Sequence, residues 1–238
     1  MTKLKVLGSS SQGNCYIFEC QGESLIIELG LPWKEILKGL DYNLTKVQAC
    51  LVSHCHLDHS KSIPNAIKNG LSVYSCKDVQ SIHSDVKVLQ NGLKTQIGVF
   101  QVQPIPLQHN VECIGFLIIT PDKQKILFAT DTNRIPYKFK NLNHILVESN
   151  YSDDLIIDNM CDNKYSKSAS ENHMEINDTI DFIRNNYSSN LQNVVLLHLS
   201  QGNADENMFA KKVKEEFGIN NVYIAERGLE ILLESCEF

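Results

Sequence analysis

His54-Cys55-His56-Leu57-Asp58-His59 places three imidazoles and a carboxylate within six residues. No packing need explains such a cluster, so it is read as metal-binding. Val47 to Ser53 (VQACLVS) is a short apolar run with β-branched residues and is predicted to be a buried strand. Ser60 to Asn69, with Pro64 in its first turn, is predicted to be a helix. The cluster therefore occupies a strand-to-helix loop, where alternate residues can converge: His54 and His56 on one ion, Asp58 and His59 turned toward a neighbour. Imidazole nitrogen and carboxylate oxygen suit zinc, iron or manganese at open catalytic sites. Histidine occupies 8 of 238 positions, so a chance H-x-H-x-D-H has odds on the order of one in a few thousand. A metal-binding loop is the better reading than a solvated histidine-rich turn.

Two metals need about seven ligands, and further donors stand in comparable settings. His109 follows the strand-like Val99 to Leu107, Asp131 follows Lys125 to Thr130, and His198 ends Asn193 to Leu197. Each lies at the carboxyl end of an apolar run, the edge of an α/β sheet where sites assemble. Taken singly, a His or Asp after a strand is more often a turn former; beside the His54 to His59 cluster each becomes a candidate ligand.

The residues resemble the metallo-β-lactamase superfamily, and within it the YycJ/WalJ-like branch, over nearly the whole chain. Gly8-Ser9-Ser10-Ser11-Gln12-Gly13-Asn14-Cys15-Tyr16 is similar to that branch's opening G-S-x-S-x-G-N-x-Y. Ala129-Thr130-Asp131-Thr132 resembles its fourth motif, Glu148-Ser149-Asn150 its E-S-N, and His198-Leu199-Ser200-Gln201-Gly202-Asn203 its H-L-S-x-x-N. The resemblance implies two divalent metal ions, with His54, His56 and His109 on one, Asp58, His59 and His198 on the other, and Asp131 bridging. It implies catalytic roles for Asp58, Glu148 and His173, and substrate contacts from Ser200 and Asn203. Three positions depart from the pattern: Glu28 stands where the superfamily usually has Asp, Asn172 replaces the usual glycine before His173, and the branch's basic stretch is reduced to Asp162-Asn163-Lys164-Tyr165-Ser166-Lys167.

The layout of elements points to the same fold. Strands are expected at Lys3 to Leu7, Tyr16 to Glu19 and Leu25 to Glu28, then a helix around Pro32 to Leu40. Strand and helix alternate through Leu71 to His83, and strands run from Thr95 to Thr130. A second half follows with strand Ile145 to Glu148, helix Glu175 to Asn186, strand Val194 to His198, helix Ala204 to Phe217 and a closing strand near Val222 to Ile224. Two mixed sheets with helices outside make an α/β (α+β) fold, an αββα four-layer sandwich. A hydrophobic content of 42% over 238 residues can fill such a core, and residues 1–238 are expected to form one domain. No signal-peptide core or membrane-length run is present, and eight cysteines (15, 20, 50, 55, 76, 113, 161 and 236) are scattered without a C-x-x-C pair. Reduced thiols and a cytoplasmic location are expected, with no membrane partner. Trp33 with Leu29, Leu31, Ile36 and Leu37 forms a core-facing pattern, Ser9 to Gly13 a turn between strands, and His83 and His144 need no functional role.

The chemistry follows from the donors. A pair of cations about 3.5 to 4 Å apart lowers the pKa of a water, aims it at an electrophile and stabilises negative charge, which favours an anionic ester. A thiolate can leave largely unprotonated, whereas the alkoxide of a phosphodiester needs a general acid. Glu148 with His173 supplies one, since a carboxylate beside an imidazolium raises its pKa. By resemblance, tRNase Z and YycJ-like enzymes carry a comparable Glu and His, and glyoxalase II-like thioesterases do not. The short spacing from His109 to Asp131 leaves no room for a tRNA-clamping arm, nor that from Asp131 to His198 for a β-CASP domain. The expectation is a metal-dependent phosphodiesterase, a 5′-to-3′ DNA exonuclease of the YycJ/WalJ-like kind. Only three arginines (Arg134, Arg184, Arg227) and 22 basic against 28 acidic residues make a poor track for a polynucleotide. A cyclic mononucleotide phosphodiesterase of the phage anti-Pycsar type is therefore the alternative, with a closed pocket completed by a second subunit of a homodimer. A thioesterase or lactonase and a non-catalytic metal-binding protein rank lower. Histidine-rich ligation favours zinc, with manganese the rival.

Overall fold

The computed structural model describes residues 1–158 and 171–233, so the stretch from Asp162 to Lys167 lies outside the described residues. Its organisation follows from apolar periodicity in the strands. The first sheet holds β1 (Thr2–Gly8), β2 (Cys15–Cys20), β3 (Glu23–Ile27), β4 (Val47–Leu51), β5 (Val73–Ser75) and β6 (Lys87–Val88), with β14 (Glu230–Leu233) outside β1. The second holds β7 (Thr95–Ile97), β8 (Phe100–Leu107), β9 (Cys113–Ile119), β10 (Lys125–Ala129), β11 (His144–Glu148), β12 (Asn193–Leu197) and β13 (Val222–Ile224) in sequential order. Pairing is antiparallel from β1 to β3 and from β7 to β10, then parallel through the rest of each run.

Strands β10, β11 and β12 are buried on both faces, and their alternation divides two cores. Ile126, Phe128, Leu146, Val195 and Leu197 join Leu4, Val6, Phe18 and Leu25 in the core that contains both sheets. Their neighbours Leu127, Ile145, Val147, Val194 and Leu196 join Ile176, Ile180, Ile183, Phe209 and Val213. Those residues belong to α6 (Ile176–Asn186) and α7 (Glu206–Phe217), which cover the outer face of the second sheet. The Glu175 carboxylate caps the start of α6 through Asn177 N–H, and Asp205 caps α7 through Met208 N–H at 2.9 Å. On the first sheet, α1 (Trp33–Gly39), α3 (Ile63–Lys68) and α4 (Lys77–Ile82) contribute Ile36, Ile63, Ala66 and Val79 to the larger core, and Trp33 packs against it half-buried. The result is the expected αββα sandwich. No helix among the described residues is long and apolar enough to cross a membrane.

Two elements differ from the expectation. The helix placed at Ser60 to Asn69 is two helices, α2 (Leu57–Ser60) and α3, so the cluster's own Asp58 and His59 are helical. Pro64 lies in the first turn of α3 and has no N–H to bond back to Ser60, so a helix entering at Leu57 cannot run through it. The chain also continues beyond β13 into β14, where Leu4 pairs with Ile231. The four residues EILL are too short a run for periodicity to register.

His144, the first residue of β11, is fully buried, with Asn193 Nδ2 at 2.9 Å from its Nδ1. Burial pushes its pKa down to about 4, against a weaker upward pull from Asp122. Between that value and the ordinary 6.5 the unfolded chain binds a proton that the folded one refuses, so stability rises with pH across this window and falls as pH drops. The loss below the window is about 3 kcal/mol. Urea midpoints of the wild type and His144→Gln, compared from pH 7.5 to 4, should converge as pH falls; a constant gap would rule out the titration.

Candidate metal centre

The donors sit at the carboxyl ends of strands along one edge of the sandwich. Ser53 to His59 follow β4, His109 follows β8, Asp131 follows β10, Glu148 ends β11, His198 follows β12, and Glu28 follows β3. Three of them, Glu28 (φ 68°), Asp131 (φ 50°) and His198 (φ 53°), adopt the left-handed backbone region. That conformation is unfavourable for a residue with a β-carbon and persists only where neighbours enforce it. Here Leu51 O accepts Glu28 N–H at 2.8 Å, Ser9 Oγ accepts His198 N–H at 2.9 Å, and Glu148 Oε2 accepts the N–H of Thr132, next to Asp131, at 2.8 Å. The turn takes each side chain out of the strand direction and into a shared cleft.

Two donor groups result. The ligand-capable atoms of His54, His56, His109 and Asp131 lie within 4.8 Å of one another, as do those of Asp58, His59, Asp131 and His198. Asp131 belongs to both, as a bridging carboxylate would. In the first group, His56 Nδ1 is 2.9 Å from His54 Nε2 and 3.3 Å from His109 Nε2, and Asp131 Oδ2 is 3.9 Å from His54 Nε2. In the second, His59 Nε2 is 3.3 Å from Asp58 Oδ2 and 3.2 Å from Asp131 Oδ1, and His198 Nε2 is 3.7 Å from Asp58 Oδ2.

The remaining ring nitrogens are held by other groups, which sets how the imidazoles face. Ser53 Oγ lies 2.8 Å from His54 Nδ1, Glu28 Oε2 lies 3.4 Å from His59 Nδ1, and Asn172 O accepts from His109 Nδ1 at 3.2 Å. Such partners orient a metal-binding imidazole and raise its basicity. Glu28, longer by one methylene than the usual Asp, also accepts Ser53 N–H through both carboxylate oxygens at 3.3 and 3.2 Å.

The donor set fits divalent cations. Two nitrogens each about 2.0–2.1 Å from a tetrahedral ion lie about 3.4 Å apart, close to the spacings among His54, His56 and His109. The three facing nitrogens cannot all donate to one another, and His198 Nε2 is buried without a hydrogen-bond partner among the described residues. The carboxylates and imidazoles of the cluster also shift one another's charge states. Burial works to raise Asp131, but His198 and His59 hold its carboxyl well below the usual range. Asp58 is lowered too, by His198 and His59 against burial. Burial works to lower His59 and His198, yet Asp131, Glu28 and Asp58 raise His59, and Asp131, Asp58 and Glu148 raise His198 to about 10. Burial and His59 drive His54 down, and burial lowers His109, so these two rings are neutral donors.

Beside the second group, His173 Nδ1 meets Glu148 Oε1 at 2.6 Å, and the His173 ring stacks on His198 with centroids 5.3 Å apart. Burial opposes charge on both partners, but their attraction raises His173 and lowers Glu148. The described bonds of Ser200 and Asn203 run to the segment after β11 and to each other. Ser200 N–H donates to Asn150 O at 2.9 Å, Asn203 O accepts Ser152 N–H at 3.0 Å, and the two side chains meet at 3.5 Å. Their described bonds secure the loop that follows His198.

Several residues with a part in the site carry no role in the sequence reading. Asn14 Nδ2 lies 3.2 Å from Asp58 O, 3.4 Å from Asp58 Oδ2 and 3.0 Å from His59 Nε2. Asn150 Nδ2 donates to His198 O at 2.7 Å, Tyr16 OH donates to Ser9 Oγ at 2.7 Å, and Cys113 Sγ lies 3.8 Å from His54 Nδ1. The motifs around Asn14 and Asn150 were the available signal; their contacts were not. Gly30 is another such position, since a β-carbon there would lie 1.6 Å from Asp58 O and 2.8 Å from Asn14 N, both backbone atoms. Gly30→Ala is expected to cost about 3 kcal/mol or more and to weaken metal binding by shifting the Asp58 loop. Thermal unfolding and a zinc titration check it, and wild-type values in both would sink the claim.

Residues 32–198 match the family described as "Beta-lactamase superfamily domain". Among curated proteins, the chain is 22% identical over 173 residues to exodeoxyribonuclease WalJ of Streptococcus pneumoniae serotype 2, covering 65% of this chain and 64% of that protein. It is 25% identical over 168 residues to exodeoxyribonuclease YycJ of Bacillus anthracis, covering 63% and 64%. The match thus spans just under two thirds of these relatives' length. Among solved structures, the metallo-β-lactamase fold protein YhfI from Bacillus subtilis superposes with a TM-score of 0.74 at 18% identity, over 97% of this chain and 98% of that one.

Proposed function

Since the chain belongs to the β-lactamase superfamily, by a domain match over more than half its length, we propose that it is a dinuclear metal-dependent phosphodiesterase acting as a 5′-to-3′ DNA exonuclease. The observation that carries this reading is the 2.6 Å contact between His173 Nδ1 and Glu148 Oε1 beside the donor groups. A phosphodiester expels an alkoxide that must be protonated, and a thioester does not. The names of the relatives, two exodeoxyribonucleases, support DNA as substrate.

His54, His56 and His109 would hold one divalent cation, Asp58, His59 and His198 the other, with Asp131 between them. Two such ions, zinc or manganese, supply a water of lowered pKa and charge stabilisation for the phosphoryl oxygens. Asp58, more exposed than Asp131, orients the attacking water through its carboxylate. With Nδ1 committed to Glu148, His173 carries its transferable proton on Nε2 and delivers it to the leaving oxygen. Glu148 itself, fully buried and bonded to Thr132 N–H, keeps that imidazole oriented.

The test is to purify the protein, count its metals, and compare turnover of 5′-phosphorylated DNA, cyclic mononucleotides and a thioester. Faster turnover of DNA supports the reading. Preference for cyclic mononucleotides would replace it with a signal-degrading phosphodiesterase, and preference for the thioester would remove the role of His173.

A further inference from the structure

A cleft of about 480 Å³ is lined by the segment that follows Asp131, and it holds cations of the kind a nucleic-acid substrate would need. One wall is the segment Asn133 to Lys138; the other is α6, with Asp178 and Asp181. Along the chain, both walls adjoin residues of the metal centre. Asn133 lies two residues beyond Asp131, no more than about 7 Å along the chain, and Met174 adjoins His173. Asn133 Nδ2 donates to Glu171 O at 2.7 Å and so ties the two segments together at the rim.

The charges are distributed unevenly. Arg184 is committed to Asp181 and Glu216, and Arg227 to Glu35. Arg134 lines the cleft, is exposed, and its guanidinium makes no hydrogen bond or ion pair among the described residues; the same holds for the Lys138 ammonium. Between them Tyr137 presents a ring that is 40% exposed. An exposed aromatic flanked by unpaired cations is the arrangement that single-stranded nucleic acid uses, with a base on the ring and phosphates on the cations. On the opposite wall burial and Asp181 raise the pKa of the Asp178 carboxyl, which lies within electrostatic reach of Arg134, whose charge pulls it down. The volume is in the range that small-ligand sites occupy and suits a single nucleotide.

We infer that this cleft receives the nucleotide next to the scissile phosphodiester of a single-stranded DNA substrate, with Tyr137 stacking its base and Arg134 and Lys138 holding its phosphate. The inference rests on the phosphodiesterase reading and narrows it, because a cyclic mononucleotide has no adjacent nucleotide to place there.

The experiment uses the metal-loaded full chain and the variants Arg134→Gln and Tyr137→Ala, assayed on a 5′-phosphorylated single-stranded oligonucleotide and on bis(p-nitrophenyl) phosphate. KM for the oligonucleotide should rise about tenfold in each variant, with kcat/KM for the small diester unchanged. In parallel, an oligonucleotide with 5-iododeoxyuridine as the nucleotide adjoining the scissile bond should crosslink to Tyr137 on irradiation, and Tyr137→Ala should lose the adduct. Oligonucleotide hydrolysis with wild-type KM in both variants and no adduct at Tyr137 overturns the cleft assignment while leaving the phosphodiesterase reading intact. Equal losses on both substrates also overturn it, because they would place Arg134 and Tyr137 in support of the centre. A wild-type chain that hydrolyses the small diester but neither binds nor cuts the oligonucleotide removes the cleft's role and DNA together, while retaining phosphodiester chemistry.

Discussion

Asp131→Asn is expected to reduce turnover on the order of 10³-fold or more and to lower the bound metal below two ions per chain. Asp131 alone is shared by the two donor groups, and its carboxylate is 3.2 Å from His59 Nε2 and 3.9 Å from His54 Nε2. Asparagine keeps the shape and the hydrogen bond from Thr130 Oγ1 at 2.8 Å but removes the negative charge that two cations would share. A loss of about 4 kcal/mol in transition-state stabilisation corresponds to that factor in rate. Metal analysis of the purified variant, with circular dichroism to establish folding, reads the outcome. Chelation of the wild type should act in the same direction, abolishing turnover and lowering the melting temperature, because an ion bound only by the folded chain stabilises it. A folded Asp131→Asn protein with two ions and full activity would refute the bridge.

The second large effect concerns the leaving group. His173→Ala is expected to slow DNA hydrolysis by about 10²- to 10⁴-fold, the usual worth of a positioned general acid. The same variant should lose less than about tenfold on a p-nitrophenyl phosphodiester, whose phenolate departs without a proton. The comparison separates proton delivery from structural support, since a merely distorted centre slows both substrates alike. His173 stacks on His198 and its Nδ1 is held by Glu148, so distortion is the rival account that this ratio addresses. Equal slowing on the two substrates would end the general-acid assignment.

The donor residues were legible because their signal is local. The His54 to His59 hexapeptide needs no tertiary knowledge, and His109, Asp131 and His198 each stand just past an apolar run whose length and composition already mark a strand. The αββα order was legible for the same reason, as strands and helices alternate with clear changes of period. Less could be read where the signal is short or distant. β14 is four residues long, and the break between α2 and α3 depends on a proline whose effect falls one turn earlier. Asn14 meets the backbone of Asp58 across 44 positions, and Ser9 meets His198 across 189. No pattern within a window of ten residues contains such a contact.

The sequence alone named the imidazoles and carboxylates that the fold gathers and placed them at strand ends, because spacing and hydrophobic period are properties of neighbouring residues. Only the tertiary structure decided that Asp131 lies between the two groups and that Glu28 rather than a shorter acid reaches His59. It also decided that Arg134, of three arginines, lines a cleft and makes no ion pair among the described residues. These depend on strand order, on left-handed turns at Glu28, Asp131 and His198, and on which distant segments pack together. The physical reason is that long-range contacts are fixed by the folded chain as a whole, when ordering its backbone and burying its apolar faces bring remote segments to one edge.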